Sequence, residues 1–134
     1  MADTAREARQ DVSELTPEQQ LGQRFMVGFT GLTPPPGVLD LIARQQVGGI
    51  ILFSRNCQSA QQVGRLTHDL QAAARDAGHP APLLIAADQE NGIVRRLGAA
   101  ITSLPGAMAL GAIDDEALTS AVAEATGREL LALG

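Results

Sequence analysis

Apolar residues along this chain follow two rhythms, and the alternation between them predicts the fold. Short runs stand at Phe25-Met26-Val27-Gly28-Phe29, Gly48-Gly49-Ile50-Ile51-Leu52-Phe53 and Leu83-Leu84-Ile85-Ala86-Ala87. Runs that short, without polar alternation, read as strands, and the third as one buried on both faces in a parallel sheet. The breaker series Gly78-His79-Pro80-Ala81-Pro82 precedes that third run. Between the runs, apolar positions recur at helical spacing. Val38, Leu41 and Ile42 predict a helix to about Gln46, and Val63, Leu66, Leu70 and Ala73 or Ala74 predict another ending near Gly78. A last helix is expected from Asp114 or Asp115, with Leu118, Val122, Ala125 and Leu130 facing inward.

Start signals agree with this division. Thr16-Pro17-Glu18-Gln19 offers a threonine cap, a proline in the first turn and a glutamine at the capping-box position, and Ser59-Ala60-Gln61-Gln62 repeats the box. Thr33-Pro34-Pro35-Pro36-Gly37 is a stiff connection, Asn91-Gly92 a turn, and the stretch from Ala99 to Leu110 a loop. Residues 1–14 are expected to form a flexible tail and residues 15–134 the folded part. Strand and helix alternate, so the fold class is α/β, with parallel strands joined by right-handed crossovers.

Composition narrows the function classes. The chain has 134 residues, 45% hydrophobic and 19% charged, enough for one domain with a core. Its net charge is -5, and all ten cations are arginine. An acidic chain without a basic run fits neither nucleic acid nor an anionic membrane surface. No segment approaches the roughly 18 to 20 apolar residues of a membrane span, and the polar N-terminus does not resemble a signal peptide. Cys57 is the single cysteine, which rules out an intrachain disulfide and points to a reducing, cytoplasmic setting. With no base placed near it, Cys57 reads as an inert thiol.

Candidate chemistry gathers behind the third apolar run. Ligand sites of parallel α/β folds lie just past the carboxyl ends of the strands. There the chain places Asp88, Gln89 and Glu90, then two arginines, Arg95 and Arg96, with Ser54-Arg55-Asn56 expected on the same rim. Asp88 and Glu90 leave one strand end on the same side, so they do not make a carboxylate pair flanking a scissile bond. Asp88 suits acceptance of two neighbouring hydroxyls, or the plainer roles of capping a turn or pairing with arginine. Glu90 reads as an ion-pair partner of Arg95 or Arg96. A metal would lack a third ligand, and His68 and His79 read as solvated surface histidines. Without a glycine-rich phosphate loop or a nucleophile elbow, no cofactor is expected.

Four blocks then carry a resemblance. Leu21-Gly22-Gln23-Arg24-Phe25-Met26-Val27-Gly28-Phe29, Val47-Gly48-Gly49-Ile50-Ile51-Leu52-Phe53 with Arg55-Asn56, Ala87-Asp88-Gln89-Glu90-Asn91-Gly92 with Arg96-Leu97, and Leu104-Pro105 with Met108-Ala109-Leu110-Gly111 stand in order. Together, over roughly Leu15 to Gly134, they resemble the N-terminal part of glycoside hydrolase family 3. The most similar branch is the bacterial cytoplasmic β-N-acetylhexosaminidases that act on peptidoglycan fragments. The family pattern Asp-x-Glu-Gly-Gly-Arg-Val-x-Arg is met here with Asn91 for the first glycine and Ile93 for the first arginine. Asn tolerates positive φ, which suits the turn.

The resemblance implies a (β/α)8 TIM barrel, of which this chain supplies about three strands and their helices, and a retaining hydrolase working through a covalent glycosyl-enzyme. Asp88 and Arg96 match positions that contact sugar hydroxyls in the subsite of the cleaved residue. The aspartate nucleophile and the histidine-bearing acid/base loop are expected beyond Gly134, so no catalytic residue is expected within this truncated chain, and no activity alone. The partner expected is an N-acetylglucosamine-containing carbohydrate. The incomplete barrel is expected to associate with the rest of its barrel or with itself. Two other classes stand beside this one: a non-catalytic remnant serving as a carbohydrate-binding or subunit-associating module, and a small doubly wound domain binding a phosphorylated ligand. The last lacks its phosphate loop. With three phenylalanines as its only aromatics, the chain offers little stacking surface to a sugar.

Overall fold

The computed structural model describes residues 15–134; the tail expected over 1–14 lies outside the described residues. The first helix, α1 (Pro17–Gly22), starts as its residues dictate. Thr16 Oγ1 accepts from the Gln19 amide at 3.3 Å, and Gln19 Oε1 accepts from the Thr16 amide at 3.0 Å. Strand β1 follows but spans only Met26–Val27, not the five residues of the apolar run. Its ladder stops because the next carbonyls are taken by side chains: Phe29 and Gly31 accept from Asn56, and Phe29 also from Arg55.

Helix α2 (Pro36–Asp40) runs into a wider π turn, Leu41–Gln45, which ends at Gln46 with φ 48°. Strand β2 (Gly49–Leu52), helix α3 (Ala60–Asp76) and strand β3 (Leu84–Ala87) complete a strand–helix–strand–helix–strand series. The three strands form one parallel sheet in sequence order, with Met26 opposite Gly49, Gly49 opposite Leu84 and Leu52 opposite Ala87. Helix α3 buries Val63, Leu66, Leu70 and Ala74, as the spacing predicts, and adds Thr67. Ser59 Oγ caps it through the Gln62 amide, while the Gln62 side chain accepts from Gln58 rather than Ser59, so the box closes one residue early. Ile42, Ile50, Leu52, Leu66 and Leu70 are the most deeply buried large side chains.

Three expectations are corrected here. First, β3 is not buried on both faces. It pairs with β2 alone; Ile85 and Ala87 pack against the core from one face, while Leu84 on the other is 69% exposed and Leu83 just before the strand is buried. Second, the segment after Asp88 forms an antiparallel hairpin, β4 (Gln89–Asn91) and β5 (Val94–Arg95), and the expected loop contains helix α4 (Ala107–Ile113). Its glycines read as breakers, yet Ala, Met and Leu are strong helix formers and Gly106 opens the first turn. Third, helix α5 (Glu116–Ala132), capped by Asp115, does not turn Leu118 and Leu130 inward. It packs through a narrow stripe, Val122 and Thr126, with Ala125 half-buried and both leucines exposed.

The far end of α5 is fastened by an exposed clasp. The Glu129 carboxylate accepts from the Thr102 hydroxyl at 2.5 Å and from the Thr102 amide at 2.7 Å. These bonds, the hydroxyl's first, hold the Glu129 carboxyl below its ordinary value. A depressed carboxylate stabilises the fold above its unfolded value of about 4.3 and loses that contribution as pH falls through the folded one. Glu129→Gln is therefore expected to lower the urea midpoint at pH 7, with the gap to the parent chain narrowing as the pH falls below about 4. A gap of equal size at both ends of that range would show that the clasp does not depend on charge.

Candidate functional site

The register fixes where the chemistry stands. With Leu52 opposite Ala87, β2 and β3 end level, and Phe53 and Asp88 emerge at one rim. The β4–β5 hairpin then brings the chain back so that Arg96 faces Asp88, with Arg96 Nε 3.7 Å from Asp88 Oδ2. Both side chains are partly open, 38% and 47% exposed. At 3.7 Å this is a charge pair rather than a hydrogen bond, and Arg96 Nε, itself buried, has no hydrogen-bond partner. Such an exposed pair adds little to stability. Chemically it presents a carboxylate able to accept two hydroxyls beside a guanidinium able to donate to a third.

The hairpin that carries this pair has defined internal supports. Asn91 (φ 60°) and Gly92 (φ 57°) are consecutive left-handed residues, a conformation that asparagine and glycine tolerate best. A Cβ on Gly106 would lie 2.9 Å from Gly92 Cα, so the tip rests directly against the start of α4. Gln89 Oε1 accepts from the Leu97 amide at 3.2 Å, and Gln89 Nε2 donates to Asn91 Oδ1 at 3.2 Å. Asn91 Nδ2 donates to Thr126 Oγ1 at 3.1 Å, and that hydroxyl donates to the Val122 carbonyl at 2.9 Å.

Glu90 does not form the ion pair expected of it. Alternation along β4 sends Gln89 and Asn91 to one side and Glu90 to the other, into solvent. Arg95 donates to Ser103 Oγ, and Arg96 turns to Asp88. Ser54-Arg55-Asn56 does stand behind β2 at the rim, but its contacts are structural. Asn56 is fully buried; its Nδ2 donates to the carbonyls of Phe29 (3.2 Å) and Gly31 (2.8 Å), and its Oδ1 accepts from the Phe53 amide at 2.9 Å. Arg55 Nε donates to the Phe29 carbonyl at 2.7 Å, with the guanidinium 4.4 Å over the Phe53 ring. Only a polar side chain directly behind an apolar run hinted at this clip.

The remaining candidates separate clearly. Burial pushes the Cys57 thiol up, and its Sγ donates weakly to the Phe53 carbonyl, so the inert reading holds. His68 is exposed beside Asp69. His79, expected in solvent, is half-buried, and its Nε2–H donates to the Ile42 carbonyl at 2.8 Å, because a carbonyl can only accept. A cleft of about 560 Å³ between α4 and α5 is lined by Ala107, Leu110, Asp114, Thr119 and their neighbours and includes none of the rim residues.

Comparison with known proteins places these residues in context. Residues 16–134 match the profile of the glycosyl hydrolase family 3 N-terminal domain. The chain is 37% identical to beta-hexosaminidase A of Pseudoalteromonas piscicida over 90% of its own length and 23% of that protein's. It superposes on a family 3 β-N-acetylglucosaminidase of Paenibacillus sp. FPU-7 with a TM-score of 0.85 and 44% identity, covering 89% of this chain and 22% of that one. A fungal multi-domain family 3 β-N-acetylglucosaminidase gives 0.86 and 53%, covering 88% and 14%. The chain thus spans about a quarter to a third of the length of the curated relatives it matches.

Proposed function

Because the chain belongs to glycosyl hydrolase family 3, we propose that its Asp88–Arg96 rim is part of the sugar subsite of a retaining β-N-acetylhexosaminidase acting on N-acetylglucosaminides. The family's α/β fold is of the TIM-barrel kind, and β1 to β3 with α2 and α3 are parallel units of it. One observation carries the proposal: a carboxylate with open lone pairs and a guanidinium stand 3.7 Å apart at the carboxyl end of parallel strands. The names of the relatives, hexosaminidases and N-acetylglucosaminidases, support the sugar class. We extend the proposal to peptidoglycan-derived substrates in a cytoplasmic setting, which the free thiol of Cys57 supports.

Asp88 is assigned to binding and not to bond cleavage. A retaining glycosidase needs two carboxyls flanking the bond about 5 to 5.5 Å apart, whereas Glu90, two residues on from Asp88, leaves the same strand end on the same side and does not flank it. The test joins two measurements on the 134-residue chain: retention of N-acetylglucosamine in equilibrium dialysis, and hydrolysis of a chromogenic N-acetyl-β-D-glucosaminide. Retention that falls roughly tenfold or more in Asp88→Ala is expected, since charge-assisted hydrogen bonds to hydroxyls are lost. Retention without turnover fits a binding part whose reacting groups lie outside the described residues, and equally a module that only binds carbohydrate. Turnover abolished by Asp88→Ala would instead give this chain a complete site. Retention indifferent to Asp88→Ala would overturn the proposal.

A further inference from the structure

We propose that Asn91 and Thr126 are positioning residues, through which helix α5 sets the separation of Asp88 and Arg96. This rests on the sugar-subsite proposal above and adds to it the device that holds the subsite in shape.

A two-stranded hairpin has little stability of its own in water, and much of this one faces solvent: Glu90, Gly92, Ile93 and Arg95 are exposed. Asp88 enters it and Arg96 leaves it, so their relative placement depends on how the hairpin is held. The polar side chains of Gln89 and Asn91 line one side and form a continuous path. The Leu97 amide, next to Arg96, donates to Gln89; Gln89 donates to Asn91; Asn91 donates to Thr126; Thr126 donates to the Val122 carbonyl. The two ends of the hairpin are thereby bridged by Gln89, the neighbour of Asp88, and the bridge is anchored on α5. Asn91 and Thr126 are 9% and 8% exposed, so water competes poorly for their bond. Direction is set as well: the amide Nδ2 donates only, which commits Oδ1 to Gln89, and the hydroxyl spends its proton on Val122.

The departure of Asn91 from the glycine of the family pattern takes on a role here. Glycine would satisfy φ 60° but would leave Thr126 and Gln89 without their shared partner. Ground-state geometry held by such supporting bonds sets affinity at the contacting groups, where the loss of one supporting hydrogen bond weakens binding by roughly fivefold.

The test uses the full chain with N-acetylglucosamine in equilibrium dialysis, and hydrogen exchange of the peptide spanning residues 89–97. Asn91→Gly keeps the backbone conformation, and Thr126→Val keeps the shape of the buried side chain, so both variants retain the fold. Each is expected to weaken sugar retention roughly fivefold and to speed exchange at the Leu97 amide, while Thr126→Ser restores both. In the Asp88→Ala background, Thr126→Val should cost nothing further in retention, because its effect passes through the pair. Unchanged retention and exchange in both variants would overturn the inference, as would loss that Thr126→Ser fails to restore. Should the parent chain retain no sugar while Thr126→Val still speeds exchange and Thr126→Ser reverses it, the clamp stands and the carbohydrate assignment falls.

Discussion

Gly22→Ala is expected to remove more than about 3 kcal/mol of folding stability, a large share of the total for a domain of this size. A Cβ built on Gly22 falls 1.6 Å from the carbonyl oxygen of Gln45 and 2.8 Å from its carbon. Both are backbone atoms, so no side chain can swing aside. The same junction is tight from the other direction, where a Cβ on Gly48 would meet the Gln23 carbonyl oxygen at 2.1 Å. Between them the Gly22 carbonyl accepts from the amides of Phe25 and Gly48, tying α1 to the entry of β2. Gly64→Ala serves as the control. Its Cβ meets nothing within 4 Å inside α3, and replacing a helical glycine there should add about 0.5 to 1 kcal/mol. Urea unfolding followed by circular dichroism separates the two, and equal effects would mean that the contact at Gly22 relaxes freely.

Asn56→Ala is expected to cost about 3 kcal/mol for a different reason. The side chain is fully buried and meets three backbone groups: the Phe53 amide and the carbonyls of Phe29 and Gly31. Truncation leaves those groups short of partners away from water, which costs about 1 to 3 kcal/mol for each one left unsatisfied, and Phe29 keeps its bond from Arg55. Asn56→Asp sharpens the test. It preserves the acceptor for Phe53 but aims a carboxylate at two carbonyl oxygens. Burial raises such a carboxyl above its unfolded value, so this variant should lose stability as pH rises and regain part of it near pH 4. A variant as stable as the parent at pH 7 would show that water reaches these groups.

What the chain disclosed in advance was periodicity. The spacing of Val63, Leu66, Leu70 and Ala74 placed α3 on its buried face, and Thr16 and Ser59 marked two helix starts where they occur. Asp88 stands where an apolar run ends and Arg96 eight residues on, and the resemblance carried by the four blocks gave both their sugar-binding role. Four things stayed hidden, most of them decided by contacts distant in sequence. The shortness of β1 depends on Asn56, 27 positions from the Phe29 carbonyl it occupies. The exposure of Leu84 depends on what packs over the second face of β3, and nothing in Leu83 to Ala87 encodes that cover. Glu90 was assigned to Arg95 or Arg96 by adjacency, but strand alternation turns it away, and the nearer arginine bonds Ser103 instead. The bond from Asn91 to Thr126 spans 35 residues and joins a turn to a helix face. An asparagine before glycine signals only the turn.

Helix α4 buries none of its seven residues, and this divides the molecule by cooperativity. An element with no buried apolar contact contributes little to the global transition and opens at its own, lower free energy. The parallel sheet with α3 holds the buried core, and α4 lies outside it. Gly106 at the head of α4 presses on Gly92, at the tip of the hairpin that carries Asp88 and Arg96. The tip of the hairpin thus leans on the one α-helix among the described residues that buries nothing, which ties the rim to the margin of the fold and not to its core.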